Sequence, residues 1–377
     1  MSFVSRNCQS LGGYVSKINH SDVTMSGFQV TATDHLERAV AELRRGAVII
    51  IDGILVASAE ALSPDHFASM KATGPVSLVL TDRRASVLKI RAYDGDVARI
   101  RLPQDAPISL VQALADPSED LSTPMKGPFD AVRDGDAELA KTVVALCKRA
   151  GLLPAALLCE GAATGLQTFD RATLEEAMKT QHFSLDRFAD AEVPLALATD
   201  ARLYGFRPSD GGPDHFAVVV GDPSRAEPVL VRAHSECFTG DLLGSLKCDC
   251  GPQLRTALAQ ISANGSGVLL YLAQEGRGIG MANKLRAYSL QDEGFDTVDA
   301  NHRLGFEDDE RDFRVAALML KSLGFSAVRV MTNNPRKLNA FETHGFEVVG
   351  REPLAVGQTS QNAAYLATKA RRSGHLL

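Results

Sequence analysis

Three cysteines of this chain fall within fourteen residues, in the segments His234-Ser235-Glu236-Cys237 and Cys248-Asp249-Cys250-Gly251. Thiolates spaced Cys-x10-Cys-x-Cys can close around one tetrahedral zinc, since the loop between them is long enough to bring the sulfurs together. Structural zinc sites fill all four positions with protein ligands. Catalytic sites keep one for water, whose pKa the metal lowers to about 7. No fourth cysteine lies nearby. The spacing therefore admits a catalytic site with water as fourth ligand, a structural site closed by His234, or packed or redox-active thiols. Cys8, Cys147 and Cys159 stand apart and read as ordinary buried or surface thiols.

A second constellation follows. Leu269-Leu270-Tyr271-Leu272 leads into Gln274-Glu275-Gly276-Arg277-Gly278-Ile279-Gly280 and then a helical stretch. A strand, a glycine-rich turn and a helix N-terminus present backbone amides to an anion, and Arg277 adds a guanidinium fork. A tight turn needing positive φ explains the glycines equally well. The turn lacks the Gly-Lys-Ser/Thr end of a P-loop and the third glycine of the dinucleotide fingerprint. On the next helix Asn283, Lys284, Tyr288 and Gln291 share a face, for which solvation is the simpler reading. The acidic run 307–310 suits the start of another helix, whereas Arg311 there opposes the helix dipole and hints at function. Thr332-Asn333-Asn334-Pro335-Arg336-Lys337 joins a strand to a helix, where phosphate or a base could be held.

The elements that must position these residues are visible as periodicity. A helical stripe over 35–46 precedes an isoleucine-rich strand at 47–52 and a second buried strand at 76–81. Helices are expected at 108–115 and 137–150, with five prolines between 103 and 135 breaking regular structure. The second half alternates, with strands at 216–220, 229–234, 267–272, 327–331 and 346–349. Its helices are expected at 252–264, 281–293, 311–323 and 335–344. The fold class is α+β or mixed α/β in two domains, as 377 residues suggest. Residues 1–28 read as a flexible tail, 29–190 as a first domain and 191–377 as a second, the boundary falling within 186–194.

Composition narrows the function classes. A net charge of −6, with 14 Lys/Arg against 15 Asp/Glu over 225–345, excludes a broad basic face for nucleic acid. Phosphate must then be held by a few placed cations and amides. No apolar run approaches the about 18 residues that span a bilayer, and the N-terminus lacks a signal-peptide layout, so a cytoplasmic enzyme is expected.

Taken together, HSECFTGD at 234–241, GSLKCDCG at 244–251, QEGRGIG at 274–280, NKLRAYSLQDEGFDTVDANHRLGF at 283–306 and TNNPRK at 332–337 resemble the GTP cyclohydrolase II family. The closing YLATKARRSGHLL at 365–377 is similar too, so the resemblance covers roughly 195–377 and implies a C-terminal domain of that family's fold. It implies zinc at Cys237, Cys248 and Cys250. It implies GTP contacts from Arg232, Ala233, His234, Ser235 and Glu236, from Gln253, from Glu275, Gly276 and Arg277, and from Thr297, Thr332 and Lys337. Asp309 matches the family's proton acceptor, Arg311 its nucleophile and Tyr288 a tyrosine that positions the guanine end. A guanidinium is a poor nucleophile, so charge stabilisation is the firmer role for Arg311. The family reaction converts GTP and water into formate, pyrophosphate and 2,5-diamino-6-(5-phosphoribosylamino)pyrimidin-4(3H)-one, with Mg²⁺ on the triphosphate, in a homodimer. Ala273 departs from the pattern, standing where many members carry a basic residue.

Residues 29–190 look like a diverged dihydroxybutanone-phosphate synthase domain, inactive because Asp52-Gly53-Ile54-Leu55-Val56-Ala57 replaces the acidic run that would hold Mg²⁺. A structural or regulatory remnant is expected there. Competing readings for the whole are a homologue acting on another purine nucleotide or stopping at a formylated intermediate, and a non-catalytic zinc- and nucleotide-binding regulator.

Overall fold

The computed structural model describes residues 29–179, 183–360, 362 and 371–372. The expected tail, 1–28, and all of the closing segment 365–377 but Arg371 and Arg372 lie outside the described residues. Short apolar runs bounded by turns build a first sheet from β1 (Ile49–Ile51), β2 (Ile54–Ser58), β3 (Val76–Thr81), β4 (Val97–Arg101), β5 (Asp130–Ala131), β6 (Ala155–Glu160) and β7 (Thr168–Phe169). Their order is β5-β4-β3-β6-β2-β1-β7, and every pairing is antiparallel except β1 with β7. Helices α1 (Ala32–Arg44), α2 (Pro64–Thr73), α3 (Asp82–Val87), α4 (Ile108–Ala115), α5 (Glu138–Arg149) and α6 (Arg171–Met178) accompany it. Because successive side chains point to opposite faces, Val56 and Ala156 meet α1, α5 and α6, while Leu55, Ala57 and Leu157 face the other way with α2 and α4.

The second sheet contains β8 (Leu185–Glu192), β9 (Ala201–Pro208), β10 (His215–Val220), β11 (Val229–Ser235), β12 (Gly267–Leu272), β13 (Ala327–Met331) and β14 (Glu347–Glu352), in the order β14-β13-β11-β12-β10-β9-β8. β14, β13, β11 and β12 run parallel, and β10, β9 and β8 continue the sheet antiparallel. Its helices are α7 (Cys250–Ala263), α8 (Gly280–Asp292), α9 (Thr297–Arg303), α10 (Arg314–Ser322) and α11 (Pro335–Thr343). α7 packs Ala257 and Ile261 on Leu230 and Leu269; α10 and α11 cover the opposite face, on Val231, Leu270 and Val330. No helix among the described residues is long and apolar enough to cross a membrane.

Two expectations shift. The second sheet takes its first strand at Leu185, upstream of the division read at 190/191, because β8 is an edge strand. Seven of its eight residues are exposed, and a solvated edge writes no apolar pattern into its sequence. The helix expected from 311 begins at Arg314, so Arg311 precedes it and meets no adverse helix dipole.

α8 and α9 do not cover their own sheet. Ala287, Leu290, Ala300, Leu304 and Phe306 enter one core with Leu78, Leu80 and Leu157 of the first sheet. The join is close at Gly305. Its φ is 89°, and a Cβ there would stand 2.8 Å from Thr81 Oγ1, which donates a 2.9 Å hydrogen bond to the Gly305 carbonyl. A buried ion cluster supports the same region: Arg84 donates to Asp120 at 2.5 and 2.9 Å, Lys126 adds a second contact, and Arg303 of α9 reaches Asp120 at 3.3 Å.

Burial pushes the Asp120 carboxyl up, but Arg84 and Lys126 outweigh it and hold the group below its ordinary 3.8. Its folded pKa is therefore below its unfolded one, so its contribution is complete above about pH 4 and is lost as pH falls through the folded value. Asp120→Asn, which leaves Arg84 buried without its carboxylate, is expected to cost about 3–5 kcal/mol. Denaturant titrations between pH 3 and 7 check this: the variant should be less stable at neutral pH and lose less on acidification.

Candidate active site

The parallel strands β11, β12 and β13 end side by side, and the segments leaving their carboxyl ends form one cleft. This is where open α/β sheets bind ligands, because the crossovers diverge to opposite faces and leave a crevice. From β11 the cleft receives Arg232, His234, Ser235 and Glu236, then Cys237; from the turn after β12, Glu275, Gly276 and Arg277; from the end of β13, Thr332 and, at the start of α11, Lys337. Cys248, Cys250 and Gln253 enter at the start of α7, Tyr288 from α8, Thr297 from α9, and Arg311 from the segment before α10. Two expected residues do not line it. Ala233 points into the core beneath, although its carbonyl accepts the Lys337 ammonium at 2.6 Å, and Asp309 stands behind Arg311.

The sulfurs of Cys237, Cys248 and Cys250 lie within 4.8 Å of one another, Cys237 and Cys248 at 3.7 Å. Tetrahedral zinc with bonds of about 2.3 Å needs sulfurs about 3.8 Å apart, so the trio fits that ion. A Cβ on Gly240 would meet Cys248 Sγ at 2.7 Å and Cys237 Sγ at 3.0 Å, so only glycine lets the loop curl around the sulfurs. Among the described residues no histidine or carboxylate joins the group. His234, the alternative fourth ligand, turns Nε2 to Asp241 at 3.1 Å and stacks on Tyr271 instead. Among the described residues the fourth coordination position is left open, the arrangement that a catalytic site needs.

Charge is arranged around the sulfurs. Lys284 places Nζ 3.1 Å from Cys237 Sγ and 2.8 Å from Glu275 Oε1. The neighbouring thiols of Cys248 and Cys250, with this ammonium, hold the Cys237 thiol far below its ordinary range. Burial works against the Lys284 charge, but Glu275 and Cys237 overcome it and keep the lysine protonated. Cys250 opens α7, whose N-terminus favours negative charge, while the Cys237 and Cys248 thiols and burial push the Cys250 thiol up. Asp241 accepts hydrogen bonds from the Cys237 amide at 3.0 Å and Tyr271 at 3.1 Å, besides meeting His234, and so ties the metal loop to β11 and β12. Burial lowers the pKa of His234 and brings Arg232 down to about 10, and Arg232 donates to Gln253 at 2.6 Å. The Tyr288 phenol meets Thr239 Oγ1 at 3.3 Å, beside the metal loop, and burial pushes its pKa up to about 12.

At the other end Asp309 grips Arg311 with two 2.7 Å hydrogen bonds, and Arg311 reaches Ser235 Oγ at 3.4 Å. Burial raises the Asp309 pKa, but Arg311 outweighs it and holds the carboxylate low, hence ionised at neutral pH. Arg277 sits at φ 63°, an uncommon conformation for a residue with a side chain. Its carbonyl accepts the Glu310 amide at 3.0 Å and its guanidinium donates to the Asp308 carbonyl at 3.2 Å.

The face read as solvated on α8 is not: Asn283, Lys284 and Ala287 are 0, 7 and 4% exposed, and Lys284, Ala287, Tyr288 and Gln291 line the cleft. Lys284 and Asp241 are among the residues that sequence reasoning missed as parts of the site, with Lys247, Gln291 and Asn301 of the cleft lining. Lys284 offered a signal, being a lysine on a face with Tyr288. Asp241 offered none, since one carboxylate in a polar loop is ordinary.

A three-thiolate metal centre opening into a cation-lined cleft, at the carboxyl ends of parallel strands, defines a metal-dependent enzyme of the nucleotide-binding type. A family model described as GTP cyclohydrolase II matches residues 186–353. A GTP cyclohydrolase-2 from Azospirillum brasilense is 46% identical over 360 residues, covering 90% of this chain and 93% of the relative. A riboflavin biosynthesis protein RibBA from Bacillus cereus (strain B4264) is 37% identical over 394 residues, covering 91% and 98%. The chain belongs to the GTP cyclohydrolase II family. Among solved structures, RibBX, a two-domain 3,4-dihydroxy-2-butanone 4-phosphate synthase from A. baumannii, matches over 85% of this chain and 99% of its own at 20% identity, with a TM-score of 0.29.

Gly240→Ala should weaken zinc binding by about tenfold or more, the scale on which disturbed ligand surroundings act. Competition with a chromophoric chelator measures it. Unaltered affinity would mean that the loop does not hold the sulfurs as described.

Proposed function

We propose that this chain hydrolyses GTP to formate, pyrophosphate and 2,5-diamino-6-(5-phosphoribosylamino)pyrimidin-4(3H)-one, the first step of riboflavin synthesis. The observation that carries the reading is the meeting, in one cleft, of the three-cysteine centre with Arg232, Arg277, Arg311 and Lys337. One end suits opening of the imidazole ring of guanine and the other suits a triphosphate, which needs positioning and charge stabilisation above all.

Cys237, Cys248 and Cys250 would hold a zinc ion, which when bound would supply Lewis acidity and lower the pKa of water beside the guanine ring. Tyr288 holds the guanine end at the metal loop, supported by Thr239. Ser235, Glu236, Gln253, Glu275, Gly276, Thr297 and Thr332 complete the substrate contacts, with the Ala233 carbonyl aligning Lys337 and His234 fixed by Asp241. Arg311 stabilises charge at the α-phosphorus as pyrophosphate leaves. Asp309 orients that guanidinium, the role its lowered pKa favours over that of a strong base. Mg²⁺ accompanies the triphosphate, the enzyme acts in the cytoplasm, and it works as a homodimer.

The first half, which ends before β8 at Leu185, is read as a diverged dihydroxybutanone-phosphate synthase-like domain without that activity. Support comes from the β1–β2 connection: Asp52 and Gly53 alone form the turn, at φ 48° and 82°. The Asp52 carboxylate is engaged by the Arg171 backbone amide at 3.0 Å and its guanidinium at 3.5 Å. Ile54, Leu55, Val56 and Ala57, which follow in β2, carry no oxygen ligand, so the turn offers one carboxylate where Mg²⁺ wants several.

Zinc-replete protein incubated with GTP and Mg²⁺ should yield formate, pyrophosphate and the diaminopyrimidine in equal amounts. Pyrophosphate without formate would place the fault at the metal centre, and no product with zinc bound would overturn the assignment. Cys248→Ser should lose both zinc and turnover, by metal analysis and product assay, while retaining measurable GTP binding. Normal turnover by the zinc-free variant would sink the mechanism.

A further inference from the structure

Segment 307–311 has no regular secondary structure, yet it is fixed along its length. Asp308 meets His302 Nε2 at 2.7 Å, and the Glu310 carboxylate accepts the Glu307 amide at 2.9 Å. The turn after β12 lies against it so closely that a Cβ on Gly278 would stand 2.8 Å from the Glu310 carbonyl. Two further anchors come from the other half of the chain. Arg83 of α3 donates to both oxygens of Glu307, at 3.2 Å to Oε1 and 2.7 Å to Oε2, and Lys148 of α5 donates to Glu310 at 2.6 Å, its ammonium 5.8 Å from the Phe306 ring centre. Neither cation lines the cleft. Glu310 stands between Asp309 and Arg311, so a hold on its carboxylate fixes the backbone from which both project.

We infer that the first half of the chain is an intramolecular clamp on segment 307–311, with Lys148 and Arg83 as positioning residues that act through Glu310 and Glu307 on Asp309 and Arg311. The inference rests on the function proposed above and extends it by giving the first half a part in the reaction. Both pairs are partly exposed, so they contribute little to global stability. A small displacement of a group that meets developing charge is costly in rate all the same, because its hydrogen bonds must already be aimed when that charge appears.

The test uses the full-length, zinc-loaded chain carrying Lys148→Ala and Arg83→Ala together. The expected result is a kcat for GTP lower by about fivefold or more (about 1 kcal/mol) with KM and zinc content retained. Amide hydrogen exchange over 307–311 should rise while β11 and β12 stay protected. Lys148→Arg should keep most of the rate, since it preserves the cation. Wild-type kcat and exchange in the double variant would overturn the clamp, and so would exchange rising equally in β11 and β12, the sign of general loosening. If the unsubstituted chain does not turn over GTP, the proposed function fails, and exchange over 307–311 alone decides the clamp.

Discussion

Three thiolates around a divalent ion leave one negative charge uncompensated in a place largely withdrawn from water, and burying such a charge unpaired costs several kcal/mol. Most of what surrounds the cysteine centre answers that demand. Lys284 puts its ammonium against the Cys237 sulfur, and α7 offers its N-terminus to Cys250. Glu275 then keeps Lys284 ionised while its other oxygen accepts the Phe238 amide of the metal loop. The requirement travels outward, because Lys284 is only where α8 puts it. α8 rests on the first sheet through Leu290 and through Arg286, which meets Glu60 and Asp116 at 2.9 Å each. A local electrostatic need therefore reaches strands more than two hundred residues away in the chain.

The cleft is a product of topology. β11, β12 and β13 are parallel, so their carboxyl ends fall together, and the connections from them leave toward opposite faces. Cys237, the glycine-rich turn and Thr332 each follow directly on a strand end, while Cys248 and Cys250 are brought back to Cys237 by the loop that leads into α7. The proximity of the three strand ends needs no long-range contact of its own. The antiparallel strands β10, β9 and β8 extend the sheet and supply its Phe206–Val219 core without contributing to the cleft lining.

Legibility in the sequence followed burial. β3, β12 and β13 were found to the residue because an apolar run between turns can be little else, and α4 likewise. β8 escaped because seven of its eight residues are exposed and leave no apolar alternation, and α9 because seven residues are too few for a periodic stripe. α8 was found as a helix but its polar face was misread: a face lining a polar cavity has the composition of a face in water, and only the neighbours distinguish them. Cys237, Cys248 and Cys250 could be proposed from spacing, whereas exclusion of His234 from the group required the direction of its ring. The pairing of Asp309 with Arg311 was equally invisible, since carboxylate and guanidinium two residues apart meet only when the chain between them is not helical.

Gly305 and Phe306 bear on the history of the molecule. The core they enter belongs to both sheets at once, so a gene encoding only the second sheet with its helices would leave Leu290, Leu304 and Phe306 facing solvent and deprive Arg303 of its carboxylate. A segment in that position is hard to discard, whether or not it carries a reaction of its own. Selection on the second half must then conserve the residues that line the seam, and in the first half that constraint falls on Thr81, Arg84 and Asp120.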